Sequence, residues 1–239
     1  MNNSNFNKGL TLTALGSFWW GVIGVIYFKY ISFAGPIEVV IHRCIWTSVV
    51  LIITTFYFSK WNIFFEIVSN KKKLILLFFS GLLIFINWAT WIYAVGNKKI
   101  IDASFGYFIM PILSVLLGYI FYNEKINTRR IISILLVIIS ILFLLFVSFN
   151  SIPWVGIIVA LSWGFYNLLR KKVNVDTDVG LLIESLYILP FALLSFYFIF
   201  KNNLNDFSLT SPSLMLIFML AGPMTIIPLF MYVRGVELC

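Results

Sequence analysis

The stretch NWATWIYAVGNKKIIDASFGYFIMPILSVLLGYIFYNEK, residues 87–125, decides how this chain is built. An apolar run ends at Val95, and Gly96-Asn97-Lys98-Lys99 makes a short cationic turn. Asp102 then opens a second apolar run, 103–122, which carries Gly106, Pro111 and Gly118 and stops at Asn123-Glu124-Lys125. Each run approaches the roughly 20 residues that cross a bilayer as a helix. Glycine and proline inside such a helix leave backbone groups that protein or a water-lined cavity must satisfy. The second run is therefore expected to face other helices or a cavity.

The same pattern recurs along the chain. Hydrophobic residues make up 61% of the 239 residues and charged ones 11%, with a mean hydropathy of +1.00. Soluble domains carry about 25% charged residues, so this composition specifies an integral membrane protein. The net charge of +8 sits in short Lys and Arg clusters between apolar runs, which is a topological placement and excludes a nucleic-acid footprint. Two cysteines, Cys44 and Cys239, and one histidine, His42, supply neither a disulfide framework nor a metal-ligand set. No cofactor or metal is expected. The first run has Trp19 and Trp20, lacks a small-x-small cleavage site and is followed at once by another span, so it is read as a retained helix.

Eight spans are expected, at 9–28, 36–58, 74–95, 103–122, 131–149, 153–169, 180–200 and 212–233. Short connections make consecutive helices antiparallel neighbours, and 59–73 and 201–211 read as plain connectors. Lys8, Lys60, Lys71, Lys72, Lys73, Lys125, Arg129, Arg130, Arg170, Lys171 and Lys172 fall on one side, and Lys29, Lys98, Lys99 and Lys201 on the other. That asymmetry puts the N-terminus in the cytoplasm.

An internal repeat is readable. Trp20-Gly21 echoes Trp163-Gly164, Glu38 echoes Glu184, and Tyr93 before Gly96 echoes Tyr232 before Gly235. An offset of five spans inverts the second copy, an arrangement that places solute sites between repeats in transporters. Residues 1–150 are read as the first five-helix repeat and 151–239 as a second with three spans. Cys239 falls where the first copy has Ile100, so the counterpart of 103–125 is expected beyond it, as in a ten-helix parent cut short.

These residues carry a family likeness. His42-Arg43-Cys44-Ile45-Trp46, Asn87-Trp88, Ala103-Ser104-Phe105-Gly106-Tyr107-Phe108 with Pro111, and Gly118 with Glu124 are matched in order. So are Tyr166 with Arg170-Lys171-Lys172, Gly180-Leu181-Leu182-Ile183-Glu184, and Leu189-Pro190. The chain thereby resembles the drug/metabolite transporter superfamily, specifically the EamA-type permeases called RarD. The resemblance implies ten helices in two inverted five-helix repeats, a cytoplasmic N-terminus and a location in the bacterial cytoplasmic membrane.

The expected fold is thus an all-α polytopic transmembrane bundle, and the expected function is secondary transport of a small metabolite or drug-like solute. No Gly-x-x-x-x-Gly-Lys-Ser/Thr loop is present in these residues. Energy would come from an ion gradient, proton or other, or from the solute's own. Two alternatives stand beside this: a truncated, transport-incompetent fragment, and an intramembrane enzyme, for which no nucleophile–base pair is visible. Candidate solute-binding or pathway-lining residues are Glu38, His42, Arg43, Trp46, Asn87, Trp91, Tyr107, Pro111 and Glu184. Glu38, His42 and Trp46 are four apart and share a helix face. Charged groups inside a span normally pair or face a cavity, and His42 suits proton exchange near neutral pH. The bland reading has Glu38 at the interface with Arg43 snorkelling or pairing with it. Asn87 and Trp91 share a face and either line the pathway or serve helix packing. Tyr107 and Pro111 are placed toward the cavity, with Pro111 kinking the helix, and Ser114 and Gly118 toward close packing. Glu184 is either a helix N-terminal acid or the repeat partner of Glu38.

Overall fold

A computed structural model describes residues 3–123, 126–148 and 152–238. Glu124, Lys125, Phe149 and Cys239 lie outside the described residues, as do the side chains of Pro111 and Arg130. The described chain is helical, as expected of an all-α polytopic bundle, and falls into two compact units, 1–74 with 175–239, and 75–174. The first unit draws on both ends of the sequence.

In the first unit, helix α1 (Asn3–Phe18) runs into a π-helical segment (Trp19–Gly24), α2 (Val25–Tyr30) and a 3₁₀ turn (Ile31–Ala34). Gly35 then takes φ +76°, a backbone state that side chains other than glycine's disfavour, and Pro36 fills the first turn of α3 (Gly35–Tyr57), where no amide donor is needed. Helix α4 (Trp61–Val68) lies where a plain connector was expected over 59–73. Its Trp61, Phe64 and Phe65 rings stack on one another and its Ile67 is buried, so apolar burial folds this segment into a helix. After α5 (Lys71–Gly96) has left the unit, the chain returns with α9 (Thr177–Lys201), α10 (Pro212–Met219) and α11 (Ala221–Leu238). Helix α3 packs on α9, and Val39, Leu51, Leu181 and Leu182 on these two helices are all buried. Helix α11 packs on α1 and α3. Gly222 makes the second crossing possible, because a Cβ there would collide with the Trp46 carbonyl.

The second unit holds residues 75–96 of α5 with α6 (Ile100–Tyr122), α7 (Thr128–Ser148) and α8 (Trp154–Val173). Helices α6 and α8 cross where Gly106 meets Gly156, each occupying space that a Cβ on the other would need. Ala94, Ala103 and Val155 form a small-residue core beside that crossing, with Trp91 and Tyr93 packed against it. Asn123 and Asn174 end α6 and α8 in left-handed conformations, the usual cap when glycine is absent.

Four described helical stretches are long and apolar enough to cross a membrane: Phe6–Tyr57, Lys71–Gly96, Thr177–Lys201 and Pro212–Tyr232. The first, at 52 residues, has length for two crossings. Helix α6 bends by 40° between Ile100–Met110 and Ile112–Tyr122, flanking Pro111. Large apolar side chains such as Phe146, Tyr57, Phe56 and Phe191 are exposed, a surface suited to lipid rather than water.

Candidate functional site

The first three turns of α3 gather the ionisable side chains. Glu38 and His42, one turn apart, are only 3% and 2% exposed, and Arg43 beside them is buried as well. The Glu38 carboxylate is held from outside its own helix. Its Oε2 accepts the Asp206 amide proton at 2.9 Å and its Oε1 that of Phe207 at 2.8 Å. Hydrogen bonds to a charged group contribute about 1.5–3 kcal/mol each, so this clamp is a strong polar interaction. It fixes the connector between α9 and α10, and it corrects the reading of 201–211 as a plain linker.

Clamping the connector carries Phe207 over His42. The imidazole sits among Phe207, Phe218 and Phe196, with ring centroids at 4.7, 4.5 and 5.3 Å. Its Nε2 is 3.8 Å from Glu38 Oε1, and neither ring nitrogen has a hydrogen-bond partner among the described residues. Buried polar groups are normally paired. An imidazole left open beside a carboxylate in an apolar box is an arrangement from which a proton or a polar group can be exchanged.

The remaining candidates of this unit lie on α3 and α9. The Arg43 guanidinium carbon lies 4.9 Å from the Phe28 ring centroid, a cation–π contact that shields its charge within the helix bundle. Trp46 is half-buried, its indole N–H enclosed without a partner among the described residues. Glu184 is completely buried on α9, the helix that packs against α3, so it is no half-solvated helix-terminal acid.

Asn87, Trp91, Tyr107 and Pro111 belong to the second unit. The Asn87 amide donates to the Val159 carbonyl and to Ser162 Oγ, both at 3.2 Å, which is the interhelical bond of its packing reading. Trp91 is half-buried against the small-residue core, and Tyr107 is 46% exposed. Ser114 and Gly118 line an open groove with Leu117, Tyr122, Gly164 and Lys171.

One polar group escaped the sequence reading. Lys60, which precedes α4, donates to both oxygens of Asp176 (3.2 and 3.0 Å) and both of Asp178 (2.8 Å each). Asp176 also caps α9, accepting the Val179 amide proton at 3.5 Å. Lys60 and Asp176 are 28% and 29% exposed, and such ion pairs contribute only about 0.2–1 kcal/mol and weaken with salt. The signal in the sequence was the pair of acids directly before the α9 apolar run, a helix N-terminal pattern.

Comparison with known proteins agrees with this architecture. Residues 7–146 match the model of the EamA-like transporter family. The chain is 34% identical to an uncharacterized transporter of Vibrio cholerae over 94% of its own length and 74% of the relative's. It is 31% identical to the uncharacterized transporter YojE of Bacillus subtilis, over 99% and 79%, and 32% identical to Protein RarD of Salmonella typhi, over 97% and 78%. No solved structure matches. Its apolar helices and these relatives together make the chain a multi-pass membrane protein that belongs to the EamA-like transporter family, as a RarD-type permease of the drug/metabolite transporter superfamily.

Proposed function

We propose that this chain is a secondary permease that moves a small, amphipathic metabolite or drug-like solute across the bacterial cytoplasmic membrane. A single observation carries the reading: Glu38 and His42 are buried side by side in a membrane-length apolar helix, with both nitrogens of the imidazole open. Charged groups within apolar spanning helices are costly and normally face a cavity or pair, so such groups are retained where they bind or relay. Glu38 and His42 are assigned the polar end of the solute or the coupling proton. Arg43, Trp46 and Glu184 are assigned to the polar wall within the first unit; within the second, Trp91, Tyr107 and Pro111 are assigned to pathway lining and Asn87 to helix packing. The N-terminus is assigned to the cytoplasm by the Lys and Arg asymmetry. The packing of α3 on α9, the second and seventh spans of the sequence reading, supports two inverted repeats at 1–150 and 151–239.

The test is flux into liposomes from a panel of small amphipathic solutes under an imposed pH gradient. Saturable flux that falls at least about tenfold in His42→Ala is expected, the scale of losing an interaction of about 1.4 kcal/mol in the rate-determining state. Flux indifferent to the gradient and to every substitution in the cluster would refute the assignment.

A further inference from the structure

The two ends of the α3–α9 pair are fastened in a reciprocal way. The connector that follows α9 is tied to the start of α3, through the Asp206 and Phe207 amides on Glu38. The connector that follows α3 is tied to the start of α9, through Lys60 on Asp176 and Asp178. The sequence numbers agree: Glu184 lies 146 residues beyond Glu38, and Asp206 lies 146 beyond Lys60.

The fastenings nevertheless differ in kind. The Glu38 carboxylate is buried, and breaking its clamp strands it and the Phe207 amide away from water, while the Asp206 amide is part exposed. In the Lys60 bridge Lys60 and Asp176 are part exposed and can be rehydrated as they separate, while Asp178 is buried. Pro190 lies within α9 between the two ends, where it removes a main-chain hydrogen bond and loosens the mechanical link from one end to the other.

We propose that α3 and α9 part at the Lys60 end and pivot about the Glu38 clamp, so that Lys60, Asp176 and Asp178 form an ionic gate. The purpose of the gate rests on the permease reading, but its opening belongs to the helix pair and is measured without any solute. Thr55 is fully buried on α3 just inside Lys60, and its hydroxyl has no hydrogen-bond partner among the described residues, so Thr55→Cys removes none of those described. Val39, fully buried beside Glu38, reports the opposite end.

Each cysteine is introduced into the full chain with Cys44 and Cys239 replaced by alanine, and labelling by a soluble maleimide is timed in detergent. Thr55→Cys is expected to label at least about fivefold faster when salt is raised toward 1 M, where screening shortens to about 3 Å. Lys60→Met is expected to bring the fast rate at low salt, and Lys60→Arg to keep the slow one. Val39→Cys is expected to stay slow throughout. The gate is overturned if Thr55→Cys ignores salt and Lys60→Met, or if Val39→Cys accelerates in step with it, which is general loosening. Should Lys60→Met not fold, the salt series on protein with Lys60 in place decides alone.

Discussion

The two compact units bury polar groups in opposite ways. In the first, Glu38, His42, Arg43, Asp178 and Glu184 are all buried, together with the hydroxyls of Thr47, Ser48, Thr55, Ser185 and Thr225. In the second, the described buried polar side chains are Ser80, Asn87 and Ser162, all neutral. Those of the second unit settle their needs locally: Asn87 bonds to α8, and Ser162 donates to the Ile158 carbonyl at 2.6 Å. The first unit instead holds an imidazole open beside a carboxylate. A neutral amide inside a membrane is served by one neighbouring helix. An ionisable group inside a membrane is costly to hold, and the Glu38 carboxylate draws two main-chain donors from a distant connector.

The contrast can be broken by substitution, and the largest effect belongs to the clamp. Glu38→Ala removes two charge-assisted hydrogen bonds, one from the buried Phe207 amide and one from the part-exposed Asp206 amide, and is expected to destabilise the protein by about 2–5 kcal/mol, read as thermal unfolding in detergent. Glu38→Gln keeps one accepting oxygen and should lose about half of that. If Glu38→Ala costs no more than Asn87→Ala, the asymmetry between the units is gone. Next comes the glycine crossing of the second unit. Gly106→Val forces α6 off the Gly156 carbonyl and is expected to cost about 1–3 kcal/mol in the same assay, with Gly156→Val matching it. A neutral result there would mean that α6 and α8 do not cross as closely as the structure shows. Asn87→Ala should be the mildest, at about 0.6–1.7 kcal/mol, because interhelical bonds in membranes are modest and Ser162 retains its own acceptor. A larger loss in Asn87→Ala, or flux lost without any change in stability, would move Asn87 from packing into the pathway.

Much of this was legible in the sequence. The lengths of the apolar runs specify a membrane bundle, and spacing by four brings Glu38 and His42 together as it should on one helix face. Pro111 marks the bend of α6. The connectors were not legible, and the reason is physical. Glu38 is satisfied by main-chain amides 168 and 169 residues away, and a backbone donor leaves no residue-type signature. Lys60 reads as one more topological cation until the fold sets it 2.8 Å from Asp178, across 118 residues of chain. For Asn87 both readings were open, since only the position of α8 shows where its amide goes.

The central claim is that the Glu38–His42 pair, and not the polar groups of the second unit, carries the transport chemistry. It is tested most directly by comparing His42→Ala with Asn87→Ala in liposomes, with solute flux and internal pH recorded together under an imposed pH gradient. The account predicts that His42→Ala abolishes gradient-driven flux and the accompanying proton movement, while Asn87→Ala, matched for folded protein, retains both. Undiminished coupled flux in His42→Ala would contradict it.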